Sequence, residues 1–319
     1  MKDLIIDKQV FKPGEKGVVK LSVGRLPSNT KITLNAHVFR GLKDGPTSLI
    51  LAGVHGDEIN GIEILRRLLS ENLLDNIIRG TIIVIPLLNI YGFINFNRYV
   101  PDGKDVNRSF PGTLNGSLAS RLARNLTKYI VPQCDYIFDF HTGGDSRYNF
   151  PQIRYSTLDK KAEALAKKFN PPFIIQSGLI PKSLRKLARD LQIPTLVYEG
   201  GESVRLDGTA ITQGFNGLKR CLICLKYINS VPLIQPDYKS IVIKKTSWLR
   251  ATSSGIFLWS QQSGTKVYKG KKLGSINDPY GKNSVSIVAK RDGYIIGHNN
   301  ASVVNQGDAL FHIGYETLK

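Results

Sequence analysis

The sequence predicts an α/β protein with a mixed, largely parallel sheet flanked by helices, followed by a small C-terminal all-β domain. Between Ser48 and Tyr227, apolar runs of strand length alternate with segments of helical periodicity. Residues 1–40 alternate polar and apolar positions between Pro and Gly breaks, which is typical of antiparallel strands. After Val231 the chain changes to short strands separated by Gly turns. These three observations define the predicted architecture.

The central region supplies the elements of the predicted sheet. Its apolar runs predict four strands: Ser48–Gly53, Gly80–Leu88, Tyr136–Phe140 and Thr195–Tyr198. Apolar residues at helical spacing predict five helices: Asp57–Leu69, Leu118–Ile130, Lys160–Phe169, Lys182–Leu191 and Gly214–Tyr227. Uninterrupted apolar strands joined by helices indicate a parallel sheet that is buried on both faces.

An internal repeat marks the C-terminal domain. The pattern V-x-x-G-x-x-L-x-x-I begins at Val267 and again at Val304, a period of 37 residues. Two such units are expected to pack into one small barrel or sandwich. We therefore predict a catalytic domain over 1–235 and a β domain over 236–319, which resembles the biotinyl/lipoyl-type barrel-sandwich. The lysine motifs of that family are missing, so we expect no swinging-arm cofactor and a role in packing, gating or homo-oligomerisation.

Composition narrows the class of protein. The 319 residues contain 41% hydrophobic residues and a formal net charge of +19. The basic residues are scattered and no nucleic-acid module is present, so we expect a solvated basic surface that attracts anionic substrates. No signal peptide and no apolar run of the ~20 residues that span a bilayer are found. Three cysteines favour a reducing, cytoplasmic location with no membrane partner.

Two histidines and a glutamate predict a metal site. His55 and Glu58 follow the apolar strand that ends at Gly53, and their spacing places both side chains on one side of a helical turn. His141 follows the next strong strand, and ligands collect at the ends of parallel strands. Two imidazoles and one carboxylate match a catalytic zinc site with one open position. The other histidines lie in predicted β segments and are interpreted as structural: His37, His298 and His312.

Four motifs in order resemble the succinylglutamate desuccinylase/aspartoacylase family, which is related to zinc carboxypeptidases. These are GVHGDE at 53–58, DVNRSFPG at 105–112, HTGG at 141–144 and YEGG at 198–201. The resemblance extends over most of the chain, including the C-terminal β domain, and implies a zinc-carboxypeptidase-like sheet. It also implies one zinc ion per chain, bound by three side chains: His55, Glu58 and His141.

The same resemblance assigns catalytic roles. Glu199 corresponds to the general base and acid, and Arg98 to the arginine that stabilises the oxyanion. Asp105 corresponds to the aspartate that orients the first histidine. Asn107 and Arg108 correspond to the pair that binds the carboxylate of the substrate.

Two further arginines follow the third metal ligand. Arg147 and Arg154 are interpreted as contacts to a second carboxylate or to another part of an acyl amino acid. The alternative for each is simple solvent exposure.

The leading hypothesis is hydrolysis of a small anionic N-acyl amino acid. A zinc carboxypeptidase acting on short or cell-wall peptides is the second enzyme considered. A non-catalytic, basic binding or scaffold protein is the third. The C-terminal domain favours the first, because it can narrow the cleft. The family includes enzymes for N-acetylaspartate, N-succinylglutamate and N-acetyl-diaminobutyrate, and the sequence leaves the acyl group and the amine open.

Overall fold

The computed structural model describes residues 2–316, so Met1 and the end of the predicted C-terminal domain at 317–319 lie outside the described residues. The strands are β1 Leu4–Ile6, β2 Gln9–Phe11, β3 Lys16–Arg25, β4 Lys31–Arg40, β5 Lys43–Ala52, β6 Arg79–Ile85, β7 Tyr136–Gly143, β8 Arg147–Ser156, β9 Phe173–Ser177, β10 Thr195–Glu202, β11 Ile241–Ile243, β12 Lys245–Arg250, β13 Gly255–Trp259, β14 Lys266–Val267, β15 Lys272–Asn277, β16 Ser284–Val288, β17 Gly293–Asn299, β18 Val303–Val304 and β19 Ala309–Tyr315. The helices are α1 Ile59–Ser70, α2 Ile90–Ile94, α3 Leu118–Tyr129, α4 Lys160–Phe169, α5 Leu184–Asp190 and α6 Gly208–Cys224, with short 3-10 helices at Val106–Arg108 and Val131–Gln133.

One large mixed sheet organises the molecule. Its main path runs β12-β19-β17-β8-β10-β7-β5-β6-β4-β3. Strands β6, β5, β7 and β10 are parallel to one another, and β3 and β4 at one end are antiparallel to their neighbours. Strand β8 is antiparallel to β10 and β17 and parallel to β9. The predicted fold class is confirmed: a mixed sheet flanked by helices, followed by C-terminal antiparallel sheets.

The parallel strands are buried on both faces, as their apolar composition predicts. In β5, Leu49 packs into the core formed with the N-terminal strands, α3 and α5. The adjacent Ile50 packs into the opposite core, formed with α1, α4 and α6. Because successive strand residues face opposite sides, an uninterrupted apolar run satisfies both cores at once.

Several element ends differ from the prediction. Helix α4 has the predicted bounds. Helix α6 begins at Gly208 instead of the predicted Gly214, because the Asp207 carboxylate accepts a hydrogen bond from Ala210 N and caps the helix there. Strands β7 and β10 continue past their predicted ends at Phe140 and Tyr198.

Strands β8 and β9 were not predicted. The sequence of β8, RYNFPQIRYS, carries two arginines and a proline, which weaken a local strand signal. Its pairing with β10 on one side and with β9 and β17 on the other holds it in the sheet. Tertiary pairing therefore outweighs the local preference of this segment.

The predicted repeat is present in the C-terminal strands. Strands β13, β14 and β15 correspond to β17, β18 and β19, and each short strand pairs with the other copy: β14 with β17 and β18 with β13. The apolar repeat positions are buried in one core: Val267, Leu273, Ile276, Val304, Leu310 and Ile313. The domain boundary at residue 235 stays a prediction. Beyond it, β11 pairs with β9 and β17 pairs with β8, so the C-terminal strands continue the catalytic sheet.

Within the part of the chain that is described, no helix combines the length and the apolar character needed to cross a membrane.

Two buried histidines of the C-terminal strands predict a dependence of stability on pH. Burial lowers the pKa of His298 from 6.5 to about 4, and burial together with Arg154 lowers that of His312 to about 3. The folded protein keeps both imidazoles neutral where the unfolded chain binds protons. Protonation of these histidines in the unfolded chain therefore does not lower the free energy of unfolding above pH 6.5. It lowers this free energy progressively as the pH falls from 6.5 towards 4.

The His298→Gln variant tests this relation. In urea unfolding between pH 4.5 and 6.5, with chelator present, we expect the slope of the unfolding free energy against pH to fall by up to ~1.4 kcal/mol per pH unit, equivalent to one proton. Ser263→Ala removes the hydroxyl that contacts His298 Nδ1 at 2.6 Å but keeps the titrating group, so it should retain the slope. An unchanged slope in His298→Gln would contradict the burial argument.

Candidate metal centre and active site

The ends of β5 and β7 bring the three predicted ligands together. In the parallel pairing, Ala52 of β5 lies opposite Phe140 of β7, so the residues that follow share one edge of the sheet. The turn after β5 needs glycine, because a β-carbon on Gly56 would lie 2.0 Å from the carbonyl carbon of Gly92. The turn therefore packs directly against the backbone at the start of α2, and α1 begins three residues later at Ile59.

The ligand atoms converge at short distances. Glu58 Oε1 lies 2.7 Å from His55 Nδ1, and Glu58 Oε2 lies 2.8 Å from His141 Nδ1. The two Nδ1 atoms are 3.2 Å apart, and all three residues are buried. One ligand atom from each lies within 4.8 Å of the others. Two imidazole nitrogens and a carboxylate fit a zinc ion with an open coordination position.

The outer nitrogen of each imidazole contacts a carboxylate. His55 Nε2 lies 3.2 Å from Asp105 Oδ1, and His141 Nε2 lies 3.0 Å from Asp139 Oδ2. Carboxylates at this position orient metal-binding histidines and make them stronger ligands. Asp105 therefore lies where the sequence predicted. Asp139 was not predicted. The sequence did contain an indication of its role, since an acidic residue is unusual inside the apolar strand YIFDFH and lies two positions before the histidine.

Charge at the centre is dominated by carboxylates. Burial opposes ionisation of Glu58, but the two adjacent histidines hold its pKa well below the usual range. Burial also opposes protonation of His141, yet Asp139 and Glu58 raise its pKa well above the usual value. The same kinds of partner, Glu58 and Asp105, raise the pKa of His55 against the effect of burial. Three carboxylates around two imidazoles thus complement a divalent cation.

Arg98 borders the metal centre. Its Nη1 donates to Glu58 Oε1 at 3.1 Å and lies 3.2 Å from His55 Nδ1. Its Nη2 donates to Asp105 Oδ2 at 2.9 Å. The guanidinium is therefore held beside the ligand atoms by two carboxylates and can donate to negative charge that develops there.

Glu199 lies on the strand beside the third ligand. In the parallel pairing of β10 with β7, Glu199 is the register partner of His141. Its Oε2 accepts a hydrogen bond from Asn149 Nδ2 at 2.8 Å, and its Oε1 lies 3.3 Å from Arg154 Nη1. The side chain retains 13% of its accessible surface. The carboxylate is thus held in place but still reaches solvent.

The remaining predicted residues differ in their contacts. Asn107 Oδ1 accepts a hydrogen bond from Leu184 N at 3.0 Å, so this amide caps α5 and keeps its NH2 group as a donor. Arg108 is exposed and donates to the carbonyl of Asn107 at 2.7 Å. Arg147 is exposed and lies 3.4 Å from Asp145 Oδ2.

A single cavity of about 650 Å³ contains the whole constellation. All predicted site residues line it: His55, Glu58, Arg98, Asp105, Asn107, Arg108, His141, Arg147, Arg154 and Glu199. The cavity also contains residues that sequence reasoning missed: Asp139, Asn149, Arg185 and Trp248.

Two of the missed residues, Arg185 and Trp248, line the cavity from α5 and β12. Arg185 Nη1 donates to Ser177 Oγ at 2.6 Å, and burial, with a contribution from Arg154, lowers its pKa to about 10. Trp248 belongs to β12 and stacks on His312, with ring centroids 4.4 Å apart and an interplanar angle of 7°. The C-terminal strands therefore contribute an aromatic wall, which no local motif indicated.

Comparison with known proteins agrees with this geometry. Residues 44–225 match the sequence model of the succinylglutamate desuccinylase/aspartoacylase catalytic domain. Over 283 residues the chain is 29% identical to the N-alpha-acetyl-L-2,4-diaminobutyric acid deacetylase of Halomonas elongata, covering 84% of this chain and 81% of the relative.

Solved structures show the same fold. The ectoine utilization protein EutE (DoeB) of Ruegeria pomeroyi, in its product-bound structure, matches with a TM-score of 0.84 and 22% identity over 95% of both chains. A succinylglutamate desuccinylase of a Silicibacter species matches with a TM-score of 0.84 and 23% identity, covering 98% of this chain and 99% of that one.

Metal affinity should follow the contacts described above. In metal-stripped protein titrated with zinc against a fluorescent chelator, we expect His55→Ala and His141→Ala to abolish stoichiometric binding. Asp139→Asn should weaken it by roughly 10–100-fold, because His141 loses its charged partner. Lys167→Ala, in an exposed pair with Glu163, is the matched control and should bind normally. Normal zinc affinity in either histidine variant would rule out this ligand set.

Proposed function

The chain belongs to the succinylglutamate desuccinylase/aspartoacylase family, and from this membership we propose a zinc-dependent deacylase that hydrolyses the amide bond of a small anionic N-acyl amino acid. The observation that carries the proposal is the convergence of His55, Glu58 and His141 beside Glu199 in one cavity. The name of the Halomonas elongata relative, a deacetylase of an N-acetylated amino acid, supports amide hydrolysis as the reaction class.

One zinc ion per chain would be held by His55, Glu58 and His141. When bound there, zinc supplies Lewis-acid chemistry that polarises a carbonyl oxygen and lowers the pKa of water. The carboxylates of Asp105 and Asp139 hold the two imidazoles in the orientation that binding requires.

Glu199 is proposed as the general base and acid. Its carboxylate takes a proton from the attacking water and delivers it to the leaving amine. The position at the end of β10, next to His141 in register, supports this role. Among the hydrogen bonds and ion pairs of the described residues, the Glu199 carboxylate pairs only with Asn149 and Arg154, both of which line the same cavity.

The arginines are proposed to bind and stabilise charge. Arg98, held beside the ligand atoms, donates to the oxyanion that forms on the amide carbonyl. Arg108 and the NH2 group of Asn107 bind the carboxylate of the amino acid. Arg147 lines the same cavity and is a proposed contact for another part of the substrate, whereas Arg154, also in the cavity, lies 3.3 Å from Glu199 Oε1 and is assigned to that carboxylate.

The cavity also bears on the competing functions. Trp248 of β12 lines the cavity from the C-terminal strands, and this bulky side chain favours a single N-acyl amino acid over a longer peptide. The presence of all ligands, the acid and the arginines in one cavity favours an enzyme over a binding or scaffold protein.

Three free cysteines support a reducing, cytoplasmic location: Cys134, Cys221 and Cys224.

A hydrolysis screen tests the reaction. N-acetyl-L-aspartate, N-succinyl-L-glutamate, Nα-acetyl-L-2,4-diaminobutyrate and short peptides are incubated with the protein, with and without chelator, and amine release is measured. We expect chelator-sensitive hydrolysis of at least one N-acyl amino acid. Glu199→Gln should keep its zinc and lose ~100-fold or more of kcat, because the proton shuttle is removed. Peptide hydrolysis alone would instead support the carboxypeptidase.

Arg108→Ala tests carboxylate recognition. Loss of a charged hydrogen bond of ~1.5–3 kcal/mol should lower kcat/KM by roughly 10–100-fold for the best substrate of the screen. The same substrate with its carboxylate converted to a neutral amide should be affected little. An equal loss on both compounds would remove Arg108 from this role.

A further inference from the structure

Two side chains of β8 contact the two oxygens of Glu199 separately. Asn149 Nδ2 donates to Oε2 at 2.8 Å, and Arg154 Nη1 lies 3.3 Å from Oε1. A carboxylate bound at both oxygens by different partners has little rotational freedom. We propose that Asn149 and Arg154 are positioning residues that hold the Glu199 carboxylate in its reactive orientation. This inference rests on the proposed function of Glu199.

An irregularity in the sheet makes this arrangement possible. In the antiparallel pairing of β8 with β10, Gln152 lies opposite Glu199, but Asn149 lies opposite Gly201. Three steps along β8 therefore correspond to two along β10, which is the count of a β-bulge. In a regular strand, residues 149 and 154 face opposite sides of the sheet. The extra residue brings both side chains to the face that carries Glu199.

The groups around Arg154 make Glu199 its ion-pair partner. Arg185 lies close enough to Arg154 for the two guanidinium groups to repel one another, and the positive charge of Arg154 adds to burial in lowering the pKa of His312. Arg154 Nε is buried and has no hydrogen-bond partner among residues 2–316. Among the ion pairs of the described residues, Glu199 is the only carboxylate within 4.0 Å of Arg154. The pair is thus specific and is only partly exposed to solvent.

The C-terminal strands pack against one of these two contacts, at Asn149. Strand β8 lies between β10 and β17, and Gly297 of β17 is the register partner of Asn149. A β-carbon on Gly297 would lie 2.9 Å from Asn149 Oδ1, so this glycine leaves room for the amide. The C-terminal strands therefore help to fix the residue that holds the catalytic carboxylate.

Shape-conserving variants separate positioning from simple packing. Asn149→Asp keeps the shape but replaces the NH2 donor with a second carboxylate oxygen, so we expect a loss of kcat of roughly 100-fold, and roughly tenfold for Asn149→Ala. Arg154→Gln should lose roughly tenfold, and Arg154→Lys should retain more kcat than Arg154→Gln because the ion pair persists. KM for the best N-acyl amino acid of the screen, zinc content and melting temperature should change little, as in the Lys167→Ala control.

The double variants with Glu199→Gln complete the test. If Asn149 and Arg154 act through Glu199, adding Asn149→Ala or Arg154→Gln to Glu199→Gln should cause no further loss of kcat. Full additivity, normal kcat in Asn149→Asp, or effects confined to KM would each overturn the inference. A wild-type rate in Glu199→Gln alone would instead refute the proposed function, so the two failures are distinguishable.

Discussion

The parallel pairing of β7 with both β5 and β10 is the constraint on which the site depends. It places the residues that follow β5, the end of β7 and the end of β10 at one edge of the sheet. His55 and Glu58 enter from the first, His141 from the second and Glu199 from the third. His141 is therefore fixed by the backbone hydrogen bonds of a buried strand, and His55 and Glu58 by the short turn that joins β5 to α1, so rigid elements position all three side chains.

The buried charged groups at this edge of the sheet are stable only when each has its oppositely charged partner. His55, Glu58 and His141 are almost inaccessible, and each would be destabilising if it were buried alone. Asp105 and Asp139 behind the histidines, and Arg98 beside Glu58, give every charged group an opposite partner. The carboxylates that neutralise the histidines also set the orientation of the imidazoles. The same contacts therefore stabilise the fold and prepare the side chains to bind an ion.

The C-terminal strands complete the cavity rather than form an appendage. Strand β17 pairs with β8, and β12 carries Trp248 to the cavity wall, where it stacks on His312. Through β8, these strands also support Asn149 and Arg154, the two partners of Glu199. The size of the cavity and the orientation of the proposed base therefore both depend on a region that carries no catalytic motif.

The sequence by itself determined the central elements and the cluster of His55, Glu58 and His141 that could hold a metal, because these are encoded locally. An apolar strand followed by a glycine turn and a polar motif specifies its own geometry, and GVHGDE and HTGG carry their ligands within a few residues. Only the tertiary structure decided the other contacts of the site. Strand β8 has weak local preference and becomes a strand through its neighbours, and its bulge brings Asn149 to Glu199. Trp248 joins the cavity from a strand over a hundred positions beyond the metal motifs, since pairing between distant segments is a property of the folded chain and not of local spacing.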